Sequence, residues 1–117
     1  MPPSFEKSPA ELVARFDSVV ARFPAGERRK MFGYPALFVA GNLATSLFDD
    51  RWVVRLSADD VERVLALPGA GAFAPMPGRP MRGYTLLPAA IAGDADAAGT
   101  WVDRAIDHVA TLPPKQK

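Results

Sequence analysis

Cysteine is missing from this 117-residue sequence, and histidine occurs once, at His108. Without cysteine there are no disulfides, no thiolate nucleophile and no Cys-based zinc site. A single histidine leaves few routes to a metal centre or a serine–histidine pair. His108 sits between Asp107 and Val109 in a helical pattern, where a polar surface residue is the ordinary assignment. Neither Ser18 nor Ser46 lies in a nucleophile elbow. An excess of either charge sign is lacking too: fourteen Lys and Arg stand against thirteen Asp and Glu, a net charge of +1. A dedicated nucleic-acid binder shows a basic surplus or stripe, so any basic site here is local. No apolar run approaches the ~18 residues of a membrane span, and the opening residues Met1–Lys7 have no apolar signal-peptide core. Phosphate loops are absent, because Gly69-Ala70-Gly71 is followed by neither Lys-Ser/Thr nor a correctly spaced third glycine. We expect a cytoplasmic protein with no cofactor and no metal.

The composition that remains is globular, with 49% hydrophobic and 23% charged residues. We expect a flexible leader at 1–7, one domain at 8–112 and a flexible tail at 113–117. Ser8-Pro9-Ala10-Glu11 has the form of a capping box, and Leu12, Val13, Phe16, Val19, Val20 and Phe23 follow at helical spacing. The first helix is therefore expected over Pro9–Phe23, ended by Pro24 and Gly26. Lys30–Ala40 is rich in β-formers and reads as one strand interrupted by Gly33 and Pro35. Gly41-Asn42 and Asp49-Asp50 are turns, separating strands at Leu43–Phe48 and Arg51–Leu56. Ser57 caps a second helix whose buried side is Val61, Val64 and Leu65. Phe73–Met76 is a short edge strand and Met81–Leu87 a fuller one. Pro88–Gly93 is a loop, and Asp94 or Asp96 caps a last helix running to about Leu112. The expected fold is α+β: a two-layer α/β sandwich, α-β(3)-α-β(2)-α, with an antiparallel five-stranded sheet and one face open to solvent or a partner.

Two segments carry a resemblance beyond periodicity. They are Arg29-Lys30-Met31-Phe32-Gly33-Tyr34-Pro35-Ala36-Leu37-Phe38-Val39-Ala40-Gly41-Asn42 and Phe73-Ala74-Pro75-Met76-Pro77-Gly78-Arg79-Pro80-Met81-Arg82-Gly83-Tyr84. Both resemble signature segments of the TfoX N-terminal domain family (TfoX/Sxy-like), and the order of elements agrees over about residues 8–112. The family is named for a regulator of natural competence in bacteria. The resemblance implies a bacterial cytoplasmic protein with a two-layer α/β fold, and it brings no substrate. Regulators of that kind add a C-terminal domain of helical hairpins, which we do not expect in this chain.

No catalytic residue and no metal ligand is assigned. The best candidate site is basic and aromatic: Arg28, Arg29, Lys30 and Tyr34 before and within the first strand region, and Arg79, Arg82 and Tyr84 around the last. Arginine grips carboxylate or phosphate through two parallel hydrogen bonds, and tyrosine adds an amphipathic wall. Alternation places Arg82 and Tyr84 on one face, which Arg55 shares if Trp52, Val54 and Leu56 point inward. An opposing assignment gives Arg28–Lys30 a solvated strand entry and ties Arg79 and Arg82 to Asp49 or Asp50. The leading functional expectation is a noncatalytic binding or regulatory module acting through protein contacts with an unknown protein partner, a homodimer being one form. A small-anion or nucleic-acid binder is the alternative, with nucleic acid not favoured, and an enzyme of unknown reaction comes third. No membrane partner is expected.

Overall fold

A computed structural model of the chain describes residues 8–31, 33–73 and 83–113. The elements run α1 (Ala10–Val20), β1 (Glu27–Met31), β2 (Tyr34–Val39), β3 (Asn42–Phe48), β4 (Arg51–Arg55), α2 (Ala58–Leu65), β5 (Gly71–Ala72), β6 (Tyr84–Leu86), α3 (Ala89–Ala92) and α4 (Ala95–Ala110). The strands form a six-stranded antiparallel sheet in the order β1-β2-β3-β4-β6-β5. The fold is α+β with its helices packed on the sheet, as the sequence implies.

The extra strand, Glu27–Met31, draws mostly on residues expected to lead into the first strand, itself expected over Lys30–Ala40. Residues 27–39 fold back as a hairpin, with Met31 opposite Tyr34 and Glu27 opposite Phe38. Gly33 carries φ +84°, a conformation that turns the chain where glycine meets no Cβ penalty. The next turn uses Ala40 and Gly41, both at positive φ, so Asn42 begins β3 rather than completing the turn. Asp49 turns the chain at φ +57° before β4.

Helix ends differ in how well local chemistry foretells them. Ser57 Oγ accepts from Asp60 N–H at 3.3 Å, and Asp94 Oδ1 accepts from Asp96 and Ala97 N–H at 3.0 and 3.2 Å. Both are the expected caps. Ser8 is not one: its hydroxyl donates to the Asp49 carbonyl across the fold, and Pro9, with extended ψ 141°, is the cap residue without a side-chain bond. Helix α1 therefore starts at Ala10 and ends at Val20, short of Phe23, and α4 ends at Ala110, short of Leu112. The expected loop at Pro88–Gly93 holds the one-turn helix α3, opened by Pro88, where a missing N–H costs nothing. In α2 only Val64 is fully buried and Val61 packs beside it, while Leu65 is 45% exposed. Leu65 follows Val64 by about 100° of helical turn and so rotates off the sheet. The expected Phe73–Met76 strand begins earlier, as β5, with Phe73 N–H still donating to Tyr84 O at 3.3 Å; residues 74–76 lie outside the described residues. The expected Met81–Leu87 strand is described as β6, Tyr84–Leu86, with Met81 and Arg82 also outside.

One core joins the helices to one sheet face. Phe16, Val19, Leu37, Leu47, Trp52, Val54, Leu56, Val64, Leu87, Val102 and Val109 are all at most 1% exposed within it. The Trp52 ring lies 5.3 Å from Phe16, and its indole N–H donates to Thr45 Oγ1 at 2.8 Å. The Thr45 hydroxyl in turn donates to Val53 O at 2.7 Å, so this buried chain is fully satisfied. Gly99 is buried in α4, and a Cβ there would stand 3.0 Å from Arg22 Nη1. Its cost in helix propensity accompanies a close approach of α1 to α4.

The opposite face is less open than the alternation predicts. Tyr34, Ala36, Ser46 and Val53 belong to it by strand register, Phe73 joins them through ring contacts, and all are buried. Along it runs a row of rings, Tyr34–Phe48, Phe48–Phe73 and Phe73–Tyr84, with centroids 5.3, 5.3 and 6.3 Å apart. Such tilted and edge-on spacings are the favoured ones for aromatic pairs. Aromatic packing within the sheet's own face therefore does part of the work expected of solvent or a partner.

Candidate functional site

Strand β1 is where the sequence concentrates cations and where the fold leaves a backbone edge. Among the described residues it ends the sheet, so there only its β2 side is paired. Glu27, Arg28 and Lys30 are exposed, and Arg29 and Met31 half-buried. Alternation sends Arg28 and Lys30 to the helix face and Arg29 to the aromatic face. Contacts agree with that split. Arg28 Nε meets Asp17 of α1 at 2.9 Å, whereas the Arg29 guanidinium lies 5.5 Å from the Phe38 ring centroid and pairs with Glu27 at 3.0 Å. Both pairs are solvent-exposed, a class worth little to stability. Lys30 is the one cation among the described residues with no ion pair, hydrogen bond or ring contact.

The two tyrosines of the candidate cluster lie elsewhere. Tyr34 opens β2 and is 3% exposed, buried at the head of the ring row. Tyr84 stands on β6 directly opposite Arg55, whose guanidinium covers its ring at 5.3 Å. Burial raises the Tyr84 phenol above its ordinary value, and the charge and hydrogen bond of Arg55 pull against that rise. Trp52, Val54 and Leu56 do point into the core, so Arg55 shares Tyr84's face as expected. Arg79 and Arg82 lie outside the described residues. Arg28, Arg29 and Lys30 are thus one group, Tyr84 joins Arg55 in another, and Phe48 and Phe73 link Tyr34 to Tyr84. Phe48 lies in neither signature segment and Phe73 opens the second; only long-range strand order brings the two rings together.

The remaining polar candidates do not converge. Ser18 Oγ donates to Arg15 O at 2.8 Å within its own helix. Ser46 is buried on the aromatic face, whereas His108 belongs to α4 on the far side of the sheet. Asp59 and Asp60 open α2, with Asp60 gripped by Arg104 at 3.1 and 3.2 Å. Among the described residues no group of three or more His, Asp or Glu could hold a metal ion, and no helix is long and apolar enough to cross a membrane.

Comparison with known families bears on the same segments. The family model for the TfoX N-terminal domain matches residues 18–109, most of the chain. The chain belongs to the TfoX N-terminal domain family. The matched span includes β1, the ring row and the buried Trp52 centre. No curated protein and no solved structure matches the chain.

Proposed function

We propose that this TfoX N-terminal domain is a noncatalytic binding module of regulatory type, acting in the bacterial cytoplasm through protein contacts, with the unpaired side of β1 as its contact surface. One observation carries the reading: a five-residue strand ends the sheet with exposed side chains and an unengaged Lys30. An unpaired strand edge is a template for another chain, and adding a strand is a recurrent mode of peptide recognition. The other sheet edge, β5, has two residues and offers far less template.

The test places a photoreactive side chain at position 30 and, as a control, at position 62 on the exposed side of α2. Illumination in bacterial cells should trap a discrete protein adduct from position 30 and none from position 62. Equal labelling at the two positions, or none at 30, overturns the reading.

A further inference from the structure

Resting on that reading, we infer that β1 accepts an acidic, extended segment of a partner protein as a seventh strand of the sheet. The backbone edge sets the form of the ligand and the side chains set its charge. Arg28, Arg29 and Lys30 are consecutive and alternate between the two faces. A strand laid alongside them meets Arg28 and Lys30 on the helix side and Arg29 on the aromatic side. Opposite charges across a strand pair attract, and like charges repel. The segment that fits therefore has at least three acidic residues in a row, because alternate acids satisfy only one face. It contains no proline where its N–H must reach β1.

The same charges bring cation against cation at the centre of a ladder with a second copy of this chain. Antiparallel self-pairing of β1 has three registers that overlap four or more of its five residues. The full register sets Arg29 against Arg29 and Arg28 against Lys30. One slipped register sets Arg28 against Arg29, with Glu27 against Lys30 at both ends, and the other sets Arg29 against Lys30. Each brings cation to cation at the centre of the new ladder. The existing partners of Arg28 and Arg29 do not block an incoming acid, since Asp17 and Glu27 are themselves exposed, at 47% and 65% of the side chain. Lys30 is ready without giving up any partner.

The probe is a fluorescein-labelled peptide of about ten residues, long enough to span a strand, with three consecutive glutamates flanked by valine and threonine. Anisotropy should report saturable binding, with slowed amide exchange confined to residues 27–31 and their β2 partners. A peptide of the same sequence N-methylated at alternate backbone nitrogens should bind about tenfold more weakly, since it loses ladder hydrogen bonds. The R29E/K30E chain should lose the acidic peptide by about tenfold and gain the matching trilysine peptide. That gain shows that the variant still folds. Absence of binding to the acidic peptide overturns the inference, as does equal affinity for the N-methylated form, which marks charge attraction without strand addition. If position 30 traps a protein in cells that has no acidic extended segment, the acidic-strand inference fails while the protein-contact reading stands.

Discussion

Strands β4 and β1 belong to one sheet and each has five residues, yet they differ in almost every physical respect. In β4, Trp52, Val53 and Val54 are wholly buried, paired on both sides, beneath helices on one face and beside aromatic rings on the other. In β1 one side is unpaired among the described residues, and three of five residues are exposed. The ladder geometry is shared, so hydrogen bonding alone does not make a strand part of the core. What decides is whether both edges and both faces find apolar partners. The consequence is a division of labour: β4 holds the fold, and β1 can change without undoing it.

That division can be attacked first at its strongest point. Trp52→Ala removes the Phe16 contact and empties the centre of the core, which should cost about 3–5 kcal/mol. That is a large part of the ~5–15 kcal/mol that holds typical domains together. Denaturant unfolding should show the midpoint collapse, and a small shift would mean that β4 is not the centre of stability. Thr45→Val keeps the volume but strips the acceptor from the Trp52 indole, at a cost of about 1–3 kcal/mol. Thr45→Ser should recover most of it, with the slope of unfolding unchanged.

A third experiment titrates the aromatic face. The folded state holds the Tyr84 proton more tightly than the unfolded chain does, because burial raises its pKa above 10.0. Stability from this group is therefore complete below the unfolded value and declines as pH rises through the folded one. Tyr84→Phe should flatten the fall in stability above about pH 10, read as melting temperature against pH. The smallest expected effect is at the edge strand. Lys30→Ala should move stability by no more than about 0.5 kcal/mol, because Lys30 engages nothing, while weakening capture of the acidic peptide. A large loss of stability there would erase the contrast between the strands.

The sequence announces the parts of this structure that depend on neighbours a few residues away. Ser57 and Asp94 cap their helices because a short acceptor precedes an apolar periodic run, and that chemistry is local. Trp52, Val54 and Leu56 point inward because alternation fixes them relative to one another. The hairpin at 27–39 was less legible, since Gly33 inside a run of β-formers looks like an interruption of one strand. Ser8 misled because its hydroxyl is claimed by Asp49, forty-one residues away. The ring row was invisible for the same reason: Phe48 and Phe73 meet only through strand order. Of the candidate site, the Arg28–Lys30 run was legible as charge, but its value as an edge appears only once β1 is known to end the sheet.

Amide exchange compared between β1 and β4 tests the central claim most directly, in the chain alone and with the triglutamate peptide bound. Residues 27–31 should exchange quickly when alone and slow markedly on binding, while residues 51–55 stay protected throughout. Binding that leaves residues 27–31 as fast as before would show that the edge of the sheet is not where this domain meets its partner.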